Sequence, residues 1–153
     1  LVEHGHREIA YIGRPDETAQ RYRGWVDALA AVGADPGPVI ASDFSREHGY
    51  RAGQALAARA DRPTAVFISS DEQAVGALLA LHEAGVAVPD DVAVASFDGS
   101  QESAFCWPPL TTAAQPLAAM ARHAVERLVT AEPGTDVELP AELVVRRSCG
   151  CPA

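Results

Sequence analysis

The sequence predicts an α/β fold, a doubly wound parallel sheet flanked by helices. Three observations predict it. Short β-branched or aromatic runs alternate with longer stretches of helical apolar spacing. The runs start near Ile9, Val39, Ala65 and Ala93, at intervals of about 28 residues, as strand–helix units do. The stretch from Pro63 to Gly99 reads as one complete strand–helix–strand unit. Its two strands are most simply parallel, with a right-handed crossover.

Within that unit, Thr64 to Ile68 is the first buried strand. Ser70 is the expected N-cap of the next helix, Asp71 and Glu72 complement its dipole, and Gln73 sits at the capping-box position. Leu78, Leu79 and Leu81 continue the helix and Gly85 ends it. Pro89-Asp90-Asp91 is a turn, and Val92 to Phe97 the second strand. Upstream, Leu1 to Arg7 reads as the last turn of a helix closed by Gly5, so the chain is expected to be part of a longer protein. Ile9 to Ile12 is a strand. Tyr22, Trp25, Val26, Leu29 and Val32 give a helix closed by Gly33. Val39-Ile40 is a brief strand, and Ser45 caps a helix that Asp61-Arg62-Pro63 breaks. Downstream, Ser100 to Cys106 is a short helix and Leu110 to Ala113 a short strand. Pro116 opens a helix carrying Leu117, Met120, Val125 and Leu128, residues 132–136 form a loop, and Leu143 to Val145 is a last strand.

Composition excludes several functions. Twelve basic residues against 21 acidic ones give a net charge of −9, a poor balance for binding nucleic acid or an anionic membrane. No apolar run approaches the ~20 residues of a membrane-spanning helix. Cys106, Cys149 and Cys151 make an odd count, and the last two are too close in sequence to bridge comfortably, which favours a reduced, cytoplasmic setting. The Cys149-Gly150-Cys151 tail is expected to be a disordered end. His4 and His6 lie far from the cysteines in sequence, so no metal site and no cofactor is expected. There is no G-x-S-x-G elbow, Gly-rich phosphate loop or G-x-G-x-x-G, so catalysis has little support.

In a parallel sheet, ligands bind at the carboxyl edge. Arg21, Phe44, Ser70, Asp71 and Asp98 each follow a predicted strand and should converge there. Singly, each has a plainer reading: a solvated first-turn arginine, a hydrophobic staple, a cap, a dipole partner and an Asp-Gly turn. Together they offer a planar cation, an aromatic face, a hydroxyl and two carboxylates. That set suits a small polyhydroxylated ligand such as a sugar.

The order of several stretches resembles the second half of the effector-sensing region of LacI/GalR-type bacterial transcription regulators. These are Gly5-His6-Arg7-Glu8-Ile9-Ala10, Arg21-Tyr22-Arg23-Gly24-Trp25, Ser70-Asp71-Glu72-Gln73-Ala74, Val88-Pro89-Asp90-Asp91-Val92-Ala93-Val94, Phe97-Asp98, Pro108-Pro109-Leu110-Thr111-Thr112 and Leu143-Val144-Val145-Arg146-Arg147-Ser148. The resemblance covers the whole chain. It implies a periplasmic-binding-protein-like type I fold and a cytoplasmic, non-enzymatic homodimer. Residues 1–113 and 142–153 would form mostly the C-terminal subdomain, and residues 114–141 would cross to an N-terminal subdomain outside this chain. It implies that Arg21, Phe44, Ser70 and Asp98 touch the effector, and that Val75, Leu78, Leu79 and Phe105 lie at the dimer interface. Operator DNA would be bound only through a helix-turn-helix that this chain lacks. Several features depart from the family pattern: the loop from Arg14 to Gln20 is shorter than usual, Ser70 replaces a residue that is commonly larger, Ala95-Ser96 stands where a glycine is common, and the Cys149-Gly150-Cys151 tail is unusual. Two alternatives use the same fold class: a sugar-type solute-binding protein of an ABC transporter, and a small α/β enzyme such as a hydrolase.

Overall fold

Six strands form one sheet in the computed structural model, which describes residues 1–16, 19–130 and 136–151. They are β1 (Ile9–Gly13), β2 (Val39–Ala41), β3 (Ala65–Ile68), β4 (Ala93–Asp98), β5 (Thr111–Ala114) and β6 (Glu142–Val144), in the order β2-β1-β3-β4-β5-β6. The first five are mutually parallel and β6 runs antiparallel at the edge. The helices are α1 (Gln20–Ala30), α2 (Arg46–Ala57), α3 (Asp71–Glu83) and α4 (Leu117–Thr130). From β1 the chain steps outward to β2, then crosses back to β3. That reversal lies between β1 and β3, and there the loops leaving the two strands part and open a crevice at the carboxyl edge.

Strand alternation divides the core. Ala10, Ile12, Val66, Ile68, Val92 and Val94 point to the face covered by α2 and α3, where they meet Ala52, Leu56, Ala74, Ala77, Leu78 and Leu81. Ile9, Tyr11, Ala65 and Ala93 point to the other face, against Trp25 and Leu29 of α1. There Tyr11, Tyr22, Trp25 and Phe67 form an aromatic cluster with ring centroids 5.2–6.0 Å apart. The Trp25 indole donates to the Ile9 carbonyl at 3.2 Å, which fixes α1 on the sheet.

Local signals set most boundaries. Ser45 and Ser70 are side-chain N-caps, accepting from the His48 and Gln73 backbone N–H groups at 3.2 Å. Gly33 and Gly85 take positive φ just past α1 and α3. Residues 132–135 of the predicted loop lie outside the described residues. Two expectations change. The segment 100–106 folds only a 3-10 turn, Gln101–Ala104. The tail after β6 is ordered: Arg147–Cys149 forms a 3-10 turn with Ser148 and Cys149 buried. The Ser148 hydroxyl donates to the Val94 carbonyl and accepts from the Thr111 backbone N–H, at 2.7 and 2.8 Å. Those bonds pin the tail between the starts of β4 and β5. A sequence rich in small residues carries no apolar signal for such polar anchoring.

Helices α2 and α3 cross with backbones nearly touching. A Cβ on Gly76 would overlap the Arg46 carbonyl oxygen, and one on Gly49 would overlap that of Gln73. Gly24, exposed on α1, has no neighbour within 4 Å of a would-be Cβ. Gly76→Ala should therefore destabilise the chain by about 1–3 kcal/mol. Gly24→Ala should stabilise it by about 0.5–1 kcal/mol. Thermal denaturation followed by circular dichroism distinguishes the two; equal shifts would contradict the close crossing.

Candidate functional site

A cleft of about 890 Å³ runs from the carboxyl edge along the α1 side of the sheet to Leu1, Val2 and Glu3. Its lining includes Arg21, Phe44, Phe67, Ser96, Phe97 and Gln115. Arg21 stands in the first turn of α1 and reaches across the edge from β1. Its guanidinium donates to the Ser69 carbonyl at 2.6 Å and to Asp98 Oδ1 at 3.2 Å. Its central carbon lies 4.2 Å from the Phe97 ring centroid and 5.8 Å from that of Phe44. One side chain thus ties the ends of β3 and β4 to α1 and stacks on an aromatic face.

Asp98 ends β4 with φ 129°, a left-handed conformation uncommon for a residue with a side chain. Both ends of Gln115, the residue after β5, hold it: the side-chain amide donates to Asp98 Oδ1 at 2.8 Å and the backbone N–H to the Asp98 carbonyl at 3.0 Å. The Asp71 backbone N–H approaches Oδ2 at 3.4 Å. Burial pushes the Asp98 carboxyl above its ordinary range, and Arg21, the Asp71 N–H and Gln115 only partly oppose it.

Below this surface lies a polar layer. Asp71 is 1 % exposed. Its Oδ1 accepts from the Ser96 and Thr112 hydroxyls at 2.5 and 2.8 Å, and Oδ2 from the Ser100 N–H at 2.6 Å. Gln73 is fully buried. Its Oε1 accepts from the Ser69 and Ser70 hydroxyls at 2.6 and 3.0 Å, and its Nε2 donates to the Ser42 and Asp43 carbonyls at 3.2 and 3.1 Å. Gln73 therefore does not close the capping box expected of it. It braces the β2–α2 loop, which carries Phe44, against the β3–α3 loop.

Of the five residues expected to converge, Arg21 and Phe44 line the cleft, and Asp98 stands at its border, paired with Arg21. Ser70 and Asp71 do not line it. The Ser70 hydroxyl caps α3, and the Asp71 carboxylate is turned inward with its acceptors occupied, so both act as supports from beneath. Phe97 and Gln115 were missed. Phe97 reads as the end of a buried strand, and Gln115 lies beyond where β5 was expected to stop. The arrangement offers a guanidinium and a carboxylate for vicinal hydroxyls, beside the aromatic faces of Phe44, Phe67 and Phe97 for an apolar ring face.

The residues expected at a dimer interface divide as helix geometry requires. Ala74, Leu78 and Leu81 form the inner stripe of α3, and Leu78, only 5 % exposed, belongs to the core. Val75 is half-buried, while Leu79 and Phe105 are 52 % and 82 % exposed. Arg46 ion-pairs with Glu72 at 2.7 Å and with Glu102 at 3.8 Å, which links α2, α3 and the 3-10 turn before Phe105.

The sequence model of the periplasmic binding protein-like domain matches residues 1–149. The chain belongs to this family. Among relatives, it is 34 % identical over 168 residues to the HTH-type transcriptional repressor MelR of Bacillus subtilis, an alignment covering 100 % of this chain and 49 % of MelR. It is 37 % identical over 158 residues to the HTH-type transcriptional repressor CytR of Escherichia coli, covering 97 % of this chain and 46 % of CytR. The chain thus spans about half the length of these relatives, which are transcriptional regulators rather than enzymes. A LacI family transcriptional regulator from Lactobacillus casei, solved with bound sucrose, is 32 % identical and gives a TM-score of 0.85 over 97 % of this chain and 59 % of that one. The six-stranded, mostly parallel sheet is the fold that this family's regulators share. Among the described residues, no helix is long and apolar enough to cross a membrane.

The raised Asp98 value has a signed consequence. The folded chain keeps this proton to higher pH than the unfolded chain does. Asp98 therefore subtracts stability as pH rises from the ordinary value of 3.8 through the raised folded value, and the loss is complete above it. Asp98→Asn cannot ionise. Its melting temperature relative to the unsubstituted chain should climb as pH is raised from about 3.5 to about 7. Thermal melts across that range check this, and a falling difference would contradict it.

Proposed function

We propose that this chain is the effector-sensing and dimerisation portion of a LacI-type DNA-binding transcriptional regulator, and that its effector is a sugar or a related small polyhydroxylated molecule. The observation that carries the reading is the Arg21–Asp98 pair stacked on Phe97 beside Phe44, at the point where the sheet order reverses. Arg21 and Asp98 bind effector hydroxyls, Phe44 and Phe97 flank the ring, and Gln115 steadies Asp98. Ser70 and Asp71 hold these groups in place from below. The regulator works in the cytoplasm and performs no catalysis.

Residues 1–113 and 142–153 form the C-terminal subdomain, and residues 114–141 cross to an N-terminal one. The state of α4 supports this division. No residue of α4 is buried, and Leu117, Met120, Val125, Leu128 and Val129 are all exposed. An amphipathic helix left bare in this way needs a second surface. The effector closes the cleft from both subdomains, and the difference in its affinity for the open and closed forms shifts the equilibrium between them. That motion resets the spacing of helix-turn-helix heads, carried outside this span, on operator DNA. Two chains pair through Val75, Leu79 and Phe105.

Calorimetric titration of the full regulator with a panel of sugars and nucleosides tests the site. One member should bind, Arg21→Ala should weaken it about tenfold or more, and the span 1–153 alone should bind more weakly still. Tight binding by this span alone would sink the divided-cleft reading. Sedimentation velocity tests the pairing. Leu79→Asp or Phe105→Asp should convert a dimer to a monomer with the melting temperature little changed, since both side chains are exposed in the single chain. A dimer that survives both changes rejects this face.

A further inference from the structure

At the amino end of the sheet, two reactive side chains meet that lie far apart in the sequence. Cys151 Sγ is 3.2 Å from His4 Nε2, across 147 residues of chain. Cys149 and Cys151 flank Gly150, which adopts φ 90°, ψ 0°. That left-handed residue reverses the chain between the two cysteines, with the Gly150 N–H donating back to the Arg147 carbonyl at 3.1 Å. Their closeness in sequence argues against a bridge only for extended backbone. Cys149 is buried, with Thr111 Oγ1 at 3.1 Å and the Arg146 carbonyl at 3.4 Å, whereas Cys151 reaches the surface.

We propose that Cys149 and Cys151 are a reversible redox pair, oxidised by a low-molecular-weight disulfide, with Cys151 as the attacking thiol, His4 as its base and Cys149 as the resolving thiol. The Cys151 proton passes to His4 Nε2. The thiolate attacks one sulfur of the small disulfide, and the first thiolate leaves and takes the proton from His4. Cys149 then attacks the Cys151 sulfur of the mixed disulfide, loses its own proton to the departing second thiolate, and closes the ring. Two protein thiols are oxidised to one disulfide, and one small disulfide is reduced to two thiols.

The surroundings suit these roles. Burial pushes the Cys149 thiol up, and hydrogen bonding with Thr111 and Cys151 pulls it below its ordinary range. Cys151 is raised in turn, first by its hydrogen bond to Cys149. A base beside it therefore matters. Cys106 is the internal contrast: burial raises its thiol, which donates to the Glu102 carbonyl at 3.4 Å. Among the described residues, no group of three or more His, Cys, Asp or Glu side chains could hold a metal ion.

The test treats the reduced chain with oxidised glutathione, quenches in acid, alkylates the remaining thiols and reads intact and peptide masses. The unsubstituted chain should lose two alkylatable thiols without gaining glutathione, with the bridge mapped to residues 149 and 151 and Cys106 still alkylated. Cys149→Ser should stop at a glutathione adduct on Cys151, Cys151→Ser should block the reaction, and His4→Gln should slow it severalfold without changing its end point. A lasting adduct on Cys151 in the unsubstituted chain, or loss of Cys106 at the same rate, overturns the proposal. An unchanged rate in His4→Gln overturns the role given to His4.

Discussion

The cleft depends on a carboxylate that never reaches it. Burying an ionised group is costly unless its lone pairs are met. Asp71 meets them with two hydroxyls and a backbone N–H, taken from β4, β5 and the turn after Asp98. It stands in the first turn of α3, where the helix dipole favours a negative charge. Three segments that are distant in sequence, around residues 71, 96–100 and 112, are thereby fixed around one carboxylate. Asp98 can hold its uncommon backbone conformation because both of its neighbours in space, the Ser100 turn and the end of β5, are anchored this way. Gln73, two residues on, does the same for the loop bearing Phe44.

Small residues set how near these polar layers can lie. Glycines let α2 and α3 cross with their backbones in contact, which brings the first turns of both helices to the same edge of the sheet. Gly13 plays a related part at the end of β1: a side chain there would strike Ser69 and Tyr11. Gly99, at positive φ, lies against Ala114 so closely that a Cβ would collide with it. The site is thus built where backbones approach one another and side chains are few, and the long Arg21 side chain spans the gap that remains.

The fold was legible because its signals are local. Strand runs, caps and closing glycines each act within a few residues, and Ser45, Ser70, Gly33 and Gly85 do what their types favour. The carboxyl-edge rule then brought Arg21, Phe44 and Asp98 to one place without knowledge of their contacts. Depth was not legible. Whether a carboxylate after a strand faces solvent or the interior depends on which hydroxyls the next strands present, and Ser96 and Thr112 lie 25 and 41 residues from Asp71. Leu78 and Leu79 show the same limit, since one residue of helical rotation separates core from surface. The meeting of His4 with Cys151 was beyond reach for a similar reason, since only the closed sheet sets the two chain ends side by side.

The bareness of α4 bears on when that segment is helical at all. A fourteen-residue stretch lies close to the length of about 12–15 residues below which isolated helices are marginal in water. Its Val125, Val129 and Thr130 are β-branched, which lowers helix propensity further. With no residue of α4 buried, apolar packing adds little to its backbone hydrogen bonds. Its secondary structure is then conditional on what it docks against. Helix content in this one stretch would rise when its apolar face is covered and fall when it is bare.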